Sequence, residues 1–201
     1  MKTIALFLIT IGLTGLVSDL FAQLNTKKYN PETNVVIWPE AFHPDNTNFY
    51  VYNDIYINAP AEVVWQILIE ATKWHEYYEG SQKPVMIEGG SQNVLSDGVT
   101  FEFKTMGINF EPTIREFVPN ERLAWQIDRR RLKAWHAWVI LPMGDGVKLV
   151  TAETQNGFLT TMQKWFQPNR LLNFHELWLS LIKERAEMRV KNQADNAFGE
   201  T

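Results

Sequence analysis

The stretch KAWHAWVILPMGDGVKLVTAETQNG, Lys133 to Gly157, constrains the fold more than any other part of the chain. Two runs rich in aromatic and β-branched residues flank Met143-Gly144-Asp145-Gly146, the pattern of an antiparallel hairpin closed by a tight turn. With the turn centred on Gly144-Asp145, Met143 faces Gly146, and every opposed pair then has the same sum of residue numbers. His136 and Glu153 have that sum, so they fall directly opposite each other on one face. Such side chains sit about 5 Å apart at Cβ and interact. Reading the loop as four residues, Met143 to Gly146, gives the same register, whereas a bulge would break it. A histidine and a carboxylate placed opposite one another in so apolar a hairpin need a physical reason.

The hairpin has two faces. His136, Trp138, Ile140, Val147, Leu149, Thr151 and Glu153 share one, and Trp135, Ala137, Val139, Leu141, Val150 and Ala152 share the other. The second is more uniformly apolar, and composition alone would bury it.

Around the hairpin the order of elements is readable. Residues 51–57 alternate and predict a strand. Asn58 is a candidate cap and Pro60 suits a first turn of a helix whose buried stripe is Val63, Val64, Ile67 and Leu68. ATKWHEYYEG continues as a second short helix. Strands follow at residues 85–88, 99–104, 110–118, 123–128, 134–142 and 147–154. A short helix over 158–167 leads past Pro168 into a long one over 169–190, with Leu171, Phe174, His175, Trp178, Leu181 and Ile182 on its buried face. One strand, two short helices, six antiparallel strands and a terminal amphipathic helix make an α+β plan in one domain, residues 49–190.

The ends carry a different message. Residues 1–22 combine Lys2, an apolar run from Thr3 to Val17, and Ala22 before Gln23, which predicts a cleaved signal peptide and export, in a bacterium to the periplasm. The run is shorter than the ~20 residues of a membrane span; an uncleaved anchor is the alternative. Residues 23–48 predict an extended arm with one apolar island, VVIWPEAF, and residues 191–201 a polar tail. The chain has no cysteine, so no disulfide supports the fold and no lipoprotein attachment is available. A net charge of −4 offers no general basic field to nucleic acid. Arg129-Arg130-Arg131 is a local basic run, read first as a solvated turn.

INAPAEVVWQIL, FVPNERLAWQI, HAWVILPMGDGVKLVTAE and the terminal helix, in that order, resemble the SRPBCC superfamily. This group includes START lipid-transfer domains, Bet v 1-like proteins and bacterial polyketide cyclase-like proteins, and the chain looks most like the last. The resemblance implies a helix-grip fold: a seven-stranded antiparallel sheet wrapped around a long C-terminal helix, with two short helices after the first strand and a hydrophobic cavity between. It turns the His136–Glu153 face toward that cavity, leaving the other face to the arm or to a second subunit. It implies no single activity.

With 8 Trp and 12 Phe, the chain can line such a cavity richly. The expected lining is Trp65, Phe101, Phe103, Trp125, Trp138, Ile140, Leu149, Thr151, Phe158, His175 and Trp178, some of it plain core. His136 and Glu153 are the candidate catalytic pair, with two rival roles: a ligand anchor, or a structural pair closing the sheet. Arg115 is expected in a surface pair with Glu111 or Glu116. His43 and His75 lie in segments without metal-ligand spacing, so no metal and no cofactor are expected. There is no G-x-S-x-G, no cysteine nucleophile and no phosphate-binding loop. The leading expectation is an exported protein holding a hydrophobic small molecule or lipid. The alternatives are a cyclase, dehydratase or hydrolase using His136 with Glu153, or a protein-interaction module. Transient membrane contact and self-association are left open.

Overall fold

A computed structural model describes residues 28–78, 84–88, 93–105 and 107–199; the expected leader, residues 1–22, lies outside them. In chain order the elements are β1 (Phe49–Ile57), α1 (Ala61–Ile69), a 3-10 segment (Ala71–Glu76), β2 (Val85–Glu88), β3 (Thr100–Thr105), β4 (Ile108–Phe110), β5 (Thr113–Val118), β6 (Arg122–Arg129), β7 (Leu132–Met143), β8 (Gly146–Asn156), α2 (Phe158–Phe166) and α3 (Arg170–Gly199).

The hairpin forms in the register that its turn dictates. Met143 pairs with Gly146 and His136 with Glu153, while Gly144 takes φ +60, a left-handed conformation that costs glycine little. Strand order is β1-β8-β7-β6-β5-β3-β2, antiparallel throughout, and β4 pairs only with β3. The seven-stranded path curls around α3, giving the expected helix grip.

Four details differ from the sequence reading. The strand expected over 110–118 is split, because Pro112 has no N–H to donate and separates β4 from β5. The second short helix is a single 3-10 segment. Pro60, not Asn58, occupies the cap position of α1, and the Asn58 N–H donates to Glu187 Oε1 on α3 instead. Finally, α3 continues past residue 190 to Gly199, so the described part of the tail is helical.

The core has two layers. Between sheet and helix lies a ring-dense cluster: Trp74 sits within 5.0–6.0 Å, centroid to centroid, of Phe101, Phe103, Trp125 and Trp178. Leu179, Ile182 and Ala186 of α3 complete it. Outside the sheet, Val36 and Phe42 of the arm cover Ala124, Trp135, Ala137, Val139, Val150 and Ala152. Phe42 lies 5.8 Å from Trp135, and Thr154 Oγ1 donates to the Phe42 carbonyl at 2.9 Å. Both faces of the hairpin are therefore buried, which explains why both looked apolar in sequence. Composition and family resemblance were each right about one face.

Candidate functional site

Alternation along β8 puts Thr151, Glu153 and Gln155 on its inward face, beside His136 of β7. The long helix adds His175, which crosses over this end of the sheet. Glu153 Oε2 lies 3.2 Å from His136 Nδ1 and 3.3 Å from His175 Nε2, and Glu153 Oε1 accepts from Gln155 Nε2 at 2.7 Å. His136 Nε2 lies 2.8 Å from Thr151 Oγ1, and Thr160 Oγ1 of α2 donates to Gln155 Oε1 at 3.4 Å. One buried network thus joins β7, β8, α2 and α3.

An ionised carboxylate can only accept, so each imidazole nitrogen that faces it carries hydrogen. In the neutral rings this fixes both tautomers. His136 donates through Nδ1 and accepts the Thr151 hydroxyl at Nε2. His175 donates through Nε2, leaving Nδ1 as an acceptor. That atom is buried and has no hydrogen-bond partner among the described residues.

Burial governs the charges. It pushes the His136 pKa down to about 3, and the neighbouring His175 pushes the same way, against the attraction of Glu153. For Glu153 burial alone would raise the pKa. The bond from His175, the two imidazoles and the Gln155 amide outweigh it, and the group is held below the usual carboxylate range. The site is a buried anion held by two imidazoles and an amide. His136 is also locked sterically: its ring stacks on His175 at 4.6 Å and on Trp138 at 5.2 Å.

One ligating atom from each of His136, Glu153 and His175 lies within 4.8 Å of the others, a spacing open to a divalent cation. Sequence spacing gives no sign of this grouping, because the three residues come from two strands and a distant helix.

The network closes one end of a cavity of about 50 Å³. That is room for a few waters, and well short of the ~150 Å³ in which an engineered apolar cavity holds benzene. Of the expected lining, Phe103, Trp125, His175 and Trp178 are there, together with the candidate pair His136 and Glu153. Trp65, Phe101, Trp138, Ile140 and Leu149 are buried core away from it, where large rings fill the grip solidly. Thr151 acts through His136. Phe158 is 63% exposed on α2. Tyr78, Thr105, Phe110, Gln155, Leu171 and Phe174 line the cavity without having been expected there. Gln155 carried a signal, being two residues from Glu153 on the same strand face, and Leu171 and Phe174 carried one in their place on the buried face of the terminal helix. Arg115 is exposed, and the two carboxylates expected beside it pair elsewhere, Glu116 with Arg122 and Glu111 with Arg129. His75 is exposed, and His43 bonds Tyr29 within the arm, both far in the chain from the network.

The cavity is not isolated. Phe110, Leu132 and Gln155 also line an open groove of about 240 Å³ under Leu159, Met162 and Phe166 of α2. Phe110, Leu132 and Gln155 are thus shared between the two spaces.

This geometry can be set beside known proteins. A hypothetical protein of Helicobacter pylori, solved by crystallography, is 28% identical, with a TM-score of 0.70 over 76% of this chain and 96% of that one. The Zhui aromatase/cyclase from Streptomyces sp. R1128 shares the fold at 15% identity, with a TM-score of 0.55 over 71% of this chain and 95% of that one. A START superfamily protein from Mycobacterium smegmatis does so at 15% identity and TM-score 0.55, over 69% and 97%. No curated protein matches the sequence. Residues 49–177 match the family described as polyketide cyclase/dehydrase and lipid transport, and the chain belongs to that family.

Proposed function

We propose that the protein is exported and binds a hydrophobic small molecule bearing a hydroxyl group, which docks against His175 at the polar end of the cavity. The observation that carries this reading is the His175 Nδ1, a buried acceptor without a partner on a ring whose other nitrogen is committed to Glu153. A buried polar atom left unsatisfied costs about 1–3 kcal/mol, and a ligand hydroxyl would recover it. The aromatic walls supply apolar contact, and the polar group sets orientation. Anything larger than a few waters needs the cavity to widen, and the groove that shares Phe110 and Leu132 with it is the adjoining space.

The same arrangement favours a second reading. A carboxylate that orients an imidazole whose far nitrogen faces substrate is the logic of an acid–base dyad. In that case the base is His175, supported by Glu153, and His136 is a positioning residue whose two nitrogens are already engaged. This reverses the role expected of His136 from sequence.

The test is to isolate the chain from Gln23, record native mass spectra, and then measure affinity for 2-naphthol and naphthalene. A hydroxyl-selective site binds 2-naphthol more tightly, and His175→Phe removes that preference, at least tenfold for one buried hydrogen bond of about 1.5 kcal/mol. Equal affinities in the unsubstituted protein, or a preference that survives His175→Phe, would sink the hydroxyl reading. Turnover of an enolisable substrate, lost in His175→Phe and kept in His136→Gln, would select the enzyme.

A further inference from the structure

Helix α2 is built inside out. Phe158, Leu159, Met162, Trp165 and Phe166 fall within about 120° of arc at 3.6 residues per turn, and such a stripe normally faces a core. Here it faces outward, with Phe158 63%, Phe166 72% and Trp165 79% exposed. The opposite side is polar: Thr160 is 1% exposed and bonds Gln155, and the exposed Lys164 donates through Nζ to the Asn48 carbonyl. Ile108, at the tip of the β3–β4 hairpin and 42% exposed, lines the same groove as Leu159, Met162 and Phe166.

Basic residues outnumber acidic ones around this stripe. No Asp or Glu occurs between Glu153 and Glu176, a stretch that carries Lys164 and Arg170. The β6–β7 turn lies alongside, because the Leu159 N–H donates to the Arg131 carbonyl at 3.2 Å. Within that turn Arg129 pairs with Glu111 and Lys133 with Asp128, while Arg130 and Arg131 are exposed. A chain of net charge −4 therefore sets the exposed Arg130 and Arg131 beside the most exposed aromatic side chains among its described residues.

We infer that α2, with the Arg130–Arg131 turn, is a docking surface for a lipid bilayer carrying anionic headgroups. A short helix with Trp, Phe and Leu on one side and cations flanking it lies in a membrane interface, its rings among the acyl–headgroup boundary and its cations on the phosphates. None of the described helices is long and apolar enough to cross a membrane, so the contact is peripheral. Charge also argues against a second copy as the occupant. A two-fold contact through this stripe would bring Arg130, Arg131 and Arg170 of both copies together. The surface lies beside the groove that shares Phe110 and Leu132 with the cavity. Docking would thus present that groove to the lipid.

Vesicle co-sedimentation tests this, using the chain from Gln23, which contains every described element. Vesicles of phosphatidylcholine mixed with phosphatidylglycerol are compared with phosphatidylcholine alone. The expected result is binding to the anionic vesicles that weakens with salt. It falls about tenfold in Arg130→Gln/Arg131→Gln and at least as much in Trp165→Ser/Phe166→Ser. All four side chains are exposed, so circular dichroism and melting temperature should stay as in the unsubstituted chain. Absent vesicle binding, binding that ignores the Trp165/Phe166 pair, or a dimer in sedimentation that this pair abolishes would each overturn the proposal. The 2-naphthol measurement reads the cavity independently of this outcome.

Discussion

At Glu153 a full carboxylate is kept in an aromatic interior because three donors converge on it, and the cost of that burial appears as pH dependence. His136 titrates near its ordinary 6.5 in the unfolded chain and near 3 in the folded one. As pH falls below 6.5 the unfolded state takes up a proton that the folded state refuses. Stability from this group is therefore complete above 6.5 and falls by about 1.4 kcal/mol per pH unit until the folded value is reached. Glu153, with a depressed pKa, adds its own loss only below its ordinary 4.5. Urea unfolding between pH 4.5 and 6.5 should then show a steeper decline for the unsubstituted protein than for His136→Gln, which keeps an amide donor toward Glu153 without the titration. Parallel declines would mean that His136 is not the titrating group. The pairing of these two residues was legible from a turn and a count, since register in a hairpin is local geometry. Their third partner was not. Helical spacing puts His175 on the buried face of α3, but no periodicity says which strand residue that face will meet. Ring type was equally silent: Phe103 lines the cavity and Phe101, two residues before it, is solid core.

Among the elements, α2 shows most sharply what pattern can and cannot tell. Its helical character was read from sequence, and Phe158 was expected to line the cavity. A stripe fixes the angle between side chains and not the direction in which the helix is docked. That direction is set by Gly157 and by Thr160. Gly157 has φ +117, and a Cβ there would lie 2.5 Å from the Arg131 carbonyl oxygen, so the close approach of α2 to the β6–β7 turn needs glycine. Gly98 also has positive φ, +73, but open space around it. Gly157→Ala should therefore cost more than Gly98→Ala, about 2–3 kcal/mol against about 1 kcal/mol, when both are measured by thermal unfolding. Equal costs would show that the approach of α2 to the turn is easily relaxed.

Across the whole molecule the sheet separates two apolar layers, and the arm supplies the outer one. Phe42 is 7% exposed against Trp135 and Val36 is 4% exposed. Phe42→Ala should destabilise by about 3 kcal/mol and shift tryptophan emission to the red as Trp135 meets water. A loss below about 1 kcal/mol in urea unfolding would show the arm to be a passive cover. The overall order of strands and the long helix were legible because alternation and helical spacing persist over many residues. The filling of the grip was not, since a cavity and a packed interior call for the same residues.

The donors around Glu153 also have an order in time. β7 and β8, which carry His136, Thr151, Glu153 and Gln155, are synthesised before α3, which brings His175. Until then the carboxylate lacks one of its imidazoles and the cavity lacks Phe174 and Trp178 from its wall. A chain lacking α3 would lack one donor to Glu153 and part of the cavity wall. The proposed binding site is therefore assembled only once α3 has docked on the sheet, so retained ligand would report that this docking had taken place.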